Sequence, residues 1–181
     1  MGFLDTRVLR GGPSLKLEGN WSHAYTFYSN RRKILSFDFN GRNIWFDDGV
    51  SKFFEINPGI SFRVSNALNL SAKFSYAFNR DNLQYVETKE LYSEDRYILG
   101  RIDQKTIGIT FRLNYSLTPD LSIQYYGQPF VSAGKYSDFK KITSPRAKHY
   151  ADRFHTFLEH EIVYDPAEKK YLFDEDARPK Y

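Results

Sequence analysis

The sequence contains no cysteine, and methionine occurs once in its 181 residues. Without cysteine the chain has no disulfides, no thiol nucleophile and no thiolate ligand for a metal. It also lacks any apolar run of about 18 residues, which excludes a membrane-spanning helix. The first residues, Met1–Arg7, have neither a basic region nor an apolar one and do not resemble a signal peptide.

The chain also lacks a concentration of charge of one sign. It has 26 Lys and Arg against 22 Asp and Glu, a formal net charge of +4, and both signs are spread along its length. Nucleic-acid-binding proteins more often concentrate basic residues on one element, so we expect no nucleic acid partner. There is neither a nucleophile elbow nor a phosphate-binding loop. We therefore predict no catalytic residues and no cofactor within this chain.

Aromatic residues, in contrast, are abundant at 18%, with 16 Phe and 14 Tyr, a composition typical of strands. They belong to segments in which apolar and polar residues alternate. From Leu121 to Val131, every second residue is Leu, Ile, Tyr, Gly, Pro and Val, and mostly polar residues stand between them. A period of two predicts strands, because successive side chains of an extended chain point to opposite faces.

Six such segments predict an all-β fold, an antiparallel up-and-down meander of about six long strands. The segments are residues 15–27, 35–42, 54–64, 68–78, 106–115 and 121–132. Turn signals such as Asp47–Gly49 separate them. Pro58 indicates an edge position or a bulge in the third segment. Charges accumulate between segments four and five, so residues 79–104 are predicted to be a long loop with strand extensions at Tyr85–Val86 and Tyr97–Leu99.

The chain divides by this pattern into two regions, residues 1–134 with the barrel strands and residues 135–181. The second is predicted to be a long extracellular loop region with room for a short helix and a hairpin. Its basic residues, interleaved with aromatic ones, are Lys135, Lys140, Lys141, Arg146, Lys148 and Arg153. They suit anionic lipopolysaccharide or an acidic glycan, although a solvated loop explains them more simply.

The length of the segments favours a transmembrane β-barrel over a soluble sandwich. Sandwich strands usually run about five or six residues, whereas these run about ten, near the length that crosses a bilayer at a tilt. Aromatic residues toward the strand ends are predicted to form interfacial girdles: Trp21, Tyr25, Phe27, Phe54, Tyr76, Phe78 and Tyr115. Polar residues on the opposite face are predicted to line a lumen: Lys16, Glu18, Asp38, Arg42, Glu55, Arg63, Lys73, Arg112 and Gln124.

Several stretches of the chain resemble the DUF5916 family of Bacteroidetes-type bacteria, in its C-terminal portion. They are Leu9–Pro13, Tyr97–Thr106, Leu113–Tyr115, Leu117–Phe130 and Gly134–Lys140. The most specific is Gln-Tyr-Tyr-Gly-Gln-Pro-Phe at Gln124–Phe130. The resemblance covers most of the chain.

The resemblance implies a large outer-membrane barrel preceded by a carbohydrate-binding family 9-like domain, and further barrel strands beyond Tyr181. Barrels of this kind need at least about eight strands to close, and lipid cannot satisfy an open sheet edge. We therefore expect this chain to be an incomplete barrel, a fragment or truncated reading frame of a larger one, with the targeting segment lying outside it.

Two acidic clusters suggest metal sites but fit no strong motif. His155–Glu161 offers two imidazoles and two carboxylates, and Asp174–Asp176 offers three carboxylates. The first lacks metal-ligand spacing and the second lacks the pattern of a calcium loop. We predict no metal site at either.

The first functional hypothesis is a non-enzymatic barrel segment of the bacterial outer membrane that passes, anchors or binds polar solutes or glycans. Its partners would be the lipid bilayer, lipopolysaccharide, a glycan ligand and the remaining strands of a longer protein. The second is a barrel that anchors an upstream carbohydrate-binding or glycoside-hydrolysing domain. The third is a soluble β-sandwich binding module.

Overall fold

The computed structural model describes residues 2–91, 93–168 and 170–173, and these residues form twelve β-strands and two short 3-10 helices. In chain order the strands are β1 (Phe3–Asp5), β2 (Leu15–Leu17), β3 (Asn20–Tyr28), β4 (Leu35–Phe46), β5 (Lys52–Arg63), β6 (Leu68–Leu91), β7 (Glu94–Thr118), β8 (Leu121–Gly127), β9 (Phe130–Ile142), β10 (Phe154–Thr156), β11 (Ile162–Asp165) and β12 (Lys170–Phe173). The helices are Tyr150–Arg153 and Glu159–Glu161. Neither helix has the length and hydropathy needed to span a membrane, and the described residues contain no other.

The principal sheet has eight strands in the order β10-β9-β7-β6-β5-β4-β3, with β8 paired to β7 as well. Strands β3, β4, β5 and β6 pair antiparallel in succession, and from β3 to β7 each strand lies beside the next one in the chain. The predicted all-β antiparallel meander is therefore confirmed. Across the described residues the sheet does not close on itself, because β3 lies at one edge and β8 and β10 at the other.

The prediction of a loop at residues 79–104 is wrong, because nearly all of these residues are strand. β6 contains 24 residues and β7 contains 25, so the two form one long hairpin. The charges that suggested a loop form ion pairs within a strand instead. Lys89 Nζ lies 3.5 Å from Glu87, and an Arg96 Nη lies 2.8 Å from Glu94.

Weak alternation in this hairpin has a structural cause. Leu83 and Leu99 are buried in a cluster with Leu9, Leu15 and Ile142, which come from distant parts of the sequence. A period-two pattern identifies a strand best when one face is uniformly apolar. In this hairpin the cluster covers only part of one face of the strands, so the alternation of apolar and polar residues is interrupted.

Other boundaries also differ from the prediction. The segment 15–27 is not one strand, because β2 pairs with β1 in a separate sheet and β3 begins at Asn20. The segment 121–132 is interrupted at Gln128 and Pro129, between β8 and β9. Residues 135–181 are less loop-like than predicted, since β9 extends to Ile142. A short helix at Tyr150–Arg153 and a hairpin of β11 and β12 are present there, as the sequence suggested. Residues 174–181, including Asp174–Asp176, lie outside the described residues.

Pro58 lies in an interior strand rather than at an edge. β5 pairs with β4 through Pro58 opposite Phe39, and with β6 on its other side. On the β6 side the pairing passes from Ile56 with Tyr76 to Gly59 with Lys73, which is the same register. Proline removes one donor from the ladder, and the sheet accepts this loss without a bulge.

The chain forms two compact units. Unit 1 takes the described residues of 1–18, 82–101 and 136–181, and unit 2 takes residues 19–81 and 102–135. Unit 1 has two buried apolar clusters, one containing Leu9 and Leu15 and the other containing Ile98, Phe139 and Phe157. Burial of these side chains is the main favourable contribution to its folding.

Arg153 is the largest fully buried side chain of unit 1. Its guanidinium lies 2.7 Å from the Glu18 carboxylate and donates hydrogen bonds to the carbonyls of Lys16, Ala147 and Lys148 at 2.9, 3.0 and 3.2 Å. Arg153 therefore joins the β2 segment to the segment before β10 and satisfies backbone groups of both.

We expect Arg153→Ala to lower the free energy of unfolding by about 3–5 kcal/mol, because it leaves Glu18 and three carbonyls without their donor. Urea titration measures the loss. Arg146→Ala is the control, since Arg146 is exposed and makes one hydrogen bond, from Nε to Ser14 Oγ at 3.0 Å. Its expected cost is below about 1 kcal/mol. Equal losses for the two variants would contradict the assigned role.

Candidate functional site

The unit 2 sheet has one face covered with exposed apolar side chains. The register places them together, because Trp21 lies opposite Trp45, Phe54 opposite Phe78 and Leu113 opposite Tyr125. Those of its large apolar residues that are exposed are Trp21, Phe27, Leu35, Phe37, Trp45, Phe54, Ile60, Phe62, Phe74, Ile107, Ile109, Phe111, Tyr115, Leu117, Leu121, Ile123, Tyr125 and Val131. We call this the apolar face. Soluble monomers rarely expose a contiguous apolar patch of such extent.

The opposite face of the same strands is mostly polar, and we call it the polar face. Arg42 lies opposite Glu55, and Lys73 Nζ lies 3.5 Å from Asp38. On β7 and β9, Gln104 Nε2 donates to Ser132 Oγ at 3.0 Å. Large side chains on this face include Tyr28, Tyr126 and Phe130. Charges of both signs and hydrogen-bonding amides and hydroxyls make it a hydrated surface.

Aromatic side chains line one end of the apolar face, toward the connection between β4 and β5. The rings of Trp21 and Trp45 stack with centroids 5.1 Å apart, and those of Phe54 and Tyr76 meet edge to face at 6.3 Å. Tyr25 continues this arrangement, with its ring 5.8 Å from that of Phe39. Such rows of aromatic residues are typical of the interface between lipid and water.

Cationic residues follow the aromatic rows on the same face. Lys52 lies opposite Arg80, and both cations lie 5.9 Å from the ring centroid of Phe78. The Arg80 guanidinium also makes a bidentate pair with Asp103, at 2.6 and 2.7 Å. On β7, Lys105 lies two residues before Ile107 and therefore on the same face. The apolar face therefore ends at a charged boundary.

The apolar positions of β6 extend over a length that can be compared with the apolar band of a membrane barrel. On β6 the apolar positions run from Leu68 to Phe78 and end at Arg80. This span covers about 34 Å at roughly 3.4 Å per residue, or about 24 Å at a tilt of about 45°. The outward apolar band of a membrane barrel is about 25 Å tall.

Most of the predicted lumen residues share the polar face. Asp38, Arg42, Glu55, Arg63 and Lys73 are brought together by the registers of β4, β5 and β6. Arg112 on β7 and Gln124 on β8 lie on the same face. Arg112 is opposite Tyr126, which is two residues after Gln124 on β8. Ser75 Oγ lies beside Gly108 and places that face on the same side as Lys73.

Lys16 and Glu18 are not part of this arrangement. Both belong to unit 1, where Lys16 lies on β2 and Glu18 pairs with Arg153. Their alternation with Leu15 and Leu17 is genuine but belongs to a different sheet.

All seven predicted interface aromatics lie on the apolar face. Tyr115 lies opposite Ile123, toward the other end of the face from Trp21. Sequence analysis missed Trp45 and the boundary residues Lys52, Arg80 and Asp103. Trp45 continues the alternation that starts at Leu35, ten residues earlier. The polar residue Asn43 interrupts the apolar series before Trp45 is reached.

The His155–Glu161 cluster is a local structural element of unit 1. Glu161 is buried, and its Oε2 accepts a hydrogen bond from the Leu158 N–H at 2.6 Å and lies 3.3 Å from His155 Nε2. The Leu158 N–H, followed by His155, lowers the pKa of Glu161 below its usual value, although burial opposes the shift. The described residues include no group of three or more metal-ligating side chains.

Comparison with known proteins identifies one family. Its model, described as a domain of unknown function (DUF5916), matches residues 3–155. No curated protein and no solved structure matches the chain.

We expect Glu161→Gln to lower the free energy of unfolding by about 1 kcal/mol at pH 7, because the charged acceptor is lost. The lowered pKa means that this contribution is fully present above the ordinary pKa of 4.5 and is lost as the pH falls through the native value. The difference between wild type and variant should therefore disappear in acid. Unfolding curves at several pH values measure it, with the exposed Glu159→Gln as control. A difference that persists in acid would contradict the assignment.

Proposed function

Because this chain belongs to the DUF5916 family, whose description assigns no function, we propose that its unit 2 sheet is a membrane-spanning part of a bacterial outer-membrane β-barrel. The part played by this chain is non-enzymatic. It passes, anchors or binds polar solutes.

The exposed apolar face supports this proposal most directly. Trp21 and Phe27 are 63% and 64% exposed, and Tyr125 and Val131 are 62% and 74% exposed. Water around so many large apolar side chains is unfavourable by about 25 cal/mol for each Å². Lipid tails remove this cost, and the aromatic rows and the charged boundary suit the edge of the hydrocarbon layer.

The polar face then lines the interior of the barrel. Its ion pair between Lys73 and Asp38, and the opposed Arg42 and Glu55, suit a hydrated lumen. The outward cations Lys52 and Lys105 lie where the phosphates of lipopolysaccharide or other anionic lipids are found. The partners proposed for this chain are therefore lipids outside the sheet and a polar solute or glycan inside it.

The free sheet edges require further strands. Backbone N–H and C=O groups at an edge cannot be left unpaired in hydrocarbon. β3 at one edge, and β8 and β10 at the other, would pair with additional strands of a longer protein to close the barrel.

A soluble sandwich is disfavoured by the same face. A sandwich buries the apolar side of each sheet against a second sheet about 10 Å away. Among the described residues the apolar face is exposed instead.

The full chain should fold in a detergent-dependent way. We expect a β-type far-ultraviolet circular dichroism spectrum and heat-modifiable gel mobility after refolding in mild detergent, and neither in plain buffer. Cooperative folding in buffer alone would favour the soluble sandwich. Recovery of the full-length protein outside the outer-membrane fraction would also count against the proposal.

Two neighbouring substitutions separate lipid from water as the medium around the apolar face. Ile109→Arg places a charge on the apolar face, and Thr110→Arg places it on the polar face. In a bilayer Ile109→Arg should cost about 2–4 kcal/mol near the midplane, whereas Thr110→Arg should cost little. Urea unfolding from lipid vesicles measures both. Since Ile109 is already 39% exposed, near-equal and small effects would show that water surrounds this face.

A further inference from the structure

A polar cavity opens at the end of the polar face nearest the connection between β3 and β4. Its volume is about 240 Å³, and all of its lining residues belong to unit 2. The charged and hydroxyl-bearing residues that matter here are Arg31, Lys33, Ser36, Asp38, Ser61 and Arg63. Three cations and one carboxylate therefore share a small space.

The connection that carries two of the cations is held in place by hydrogen bonds. Ser29 N–H donates to the Phe37 carbonyl at 2.8 Å, and Phe37 N–H donates to Ser29 Oγ at 2.7 Å. Lys33 N–H donates to the Asn30 carbonyl at 3.2 Å. Arg63 completes the arrangement, because its Nη2 donates to the Arg31 carbonyl at 3.2 Å. The backbone that carries Arg31 and Lys33 is therefore held in place, and the Arg31 guanidinium lies 4.3 Å from the centroid of the Tyr28 ring.

The lining of the cavity carries an excess of positive charge, three cations against the one carboxylate of Asp38. Among the described residues no carboxylate forms an ion pair with Arg31, Lys33 or Arg63. The carboxylate of Asp38 lies 3.5 Å from Lys73 and accepts a hydrogen bond from the Asn40 amide at 3.1 Å. An anion that enters the cavity is attracted by all three cations and reduces the repulsion among them.

The floor of the cavity supplies small hydrogen-bonding groups. Ser36 lies opposite Ser61, and both residues line the cavity. Asn69, opposite Arg63, adds an amide at the rim. Serine hydroxyls leave room above the sheet and donate hydrogen bonds to anionic oxygens.

We propose that this cavity binds a small, multiply charged anion, with phosphate-bearing solutes as the class that fits best. Arginine suits phosphate because its guanidinium presents paired N–H groups to two oxygens. The volume admits a phosphate group with a small substituent and not a large glycan. The inference rests on the proposed function in taking the polar face to line a hydrated interior open to free solutes.

Calorimetric titration of the refolded full chain with inorganic pyrophosphate tests the site. Lys33→Gln and Arg31→Gln should each weaken binding by about tenfold or more, since each removes a charged contact. Arg112→Gln is the matched control. It removes one positive charge from the polar face, where Arg112 lies 4.9 Å from the ring centroid of Tyr126 and does not line the cavity. Its affinity should stay within about twofold of wild type.

Absence of pyrophosphate binding by the folded wild type would overturn the inference, and so would an equal loss in Arg112→Gln. Maltose serves as the neutral solute, and maltose binding that Lys33→Gln weakens would assign the cavity to sugars instead. Circular dichroism confirms that each variant is folded. Detergent-dependent folding without pyrophosphate binding would remove the anion site and leave the membrane proposal. Pyrophosphate binding by a chain that folds in buffer alone would support the anion site and remove the membrane proposal.

Discussion

Unit 2 depends on the unbroken antiparallel register that joins β4, β5 and β6. Side chains alternate with a period of two, so a slip by one residue would exchange the two faces of a strand. The register places the charged Arg42 opposite the charged Glu55, and the apolar Phe54 opposite the apolar Phe78. It passes Pro58 without a shift. The separation of an apolar face from a polar one follows from the alternation within each strand together with this register.

In the proposed function the apolar and polar faces depend on each other. The apolar face, with its aromatic rows and charged boundary, would lie against lipid, and the polar face would then line an interior that solutes can reach. The basic cavity at Arg31, Lys33 and Arg63 gives one end of that interior a preference in charge. A mixed-sign lumen without such a cavity would have none.

Unit 1 follows a different physical rule. It buries apolar side chains such as Leu9, Leu99 and Phe139 in its interior. It also buries charge, and Arg153 is acceptable there because Glu18 and three carbonyls surround its guanidinium. The basic and aromatic stretch after Gly134 contributes to this interior through Lys140, which is buried and bonded to Asn82. That stretch is therefore more structured than a solvated loop.

The sequence by itself determined the β architecture of unit 2, because alternation at positions such as those of β5 and β6 is local and needs no knowledge of neighbours. The same alternation put most of the predicted lumen residues on the polar face and the seven predicted aromatic residues on the apolar face. Only the tertiary structure decided that residues 79–104 are strand, that Lys16 and Glu18 belong to unit 1, and that Arg31, Lys33 and Arg63 meet in one cavity. These features arise from contacts between residues far apart in the chain, and a pattern with a period of two carries no information about which distant segment covers a face.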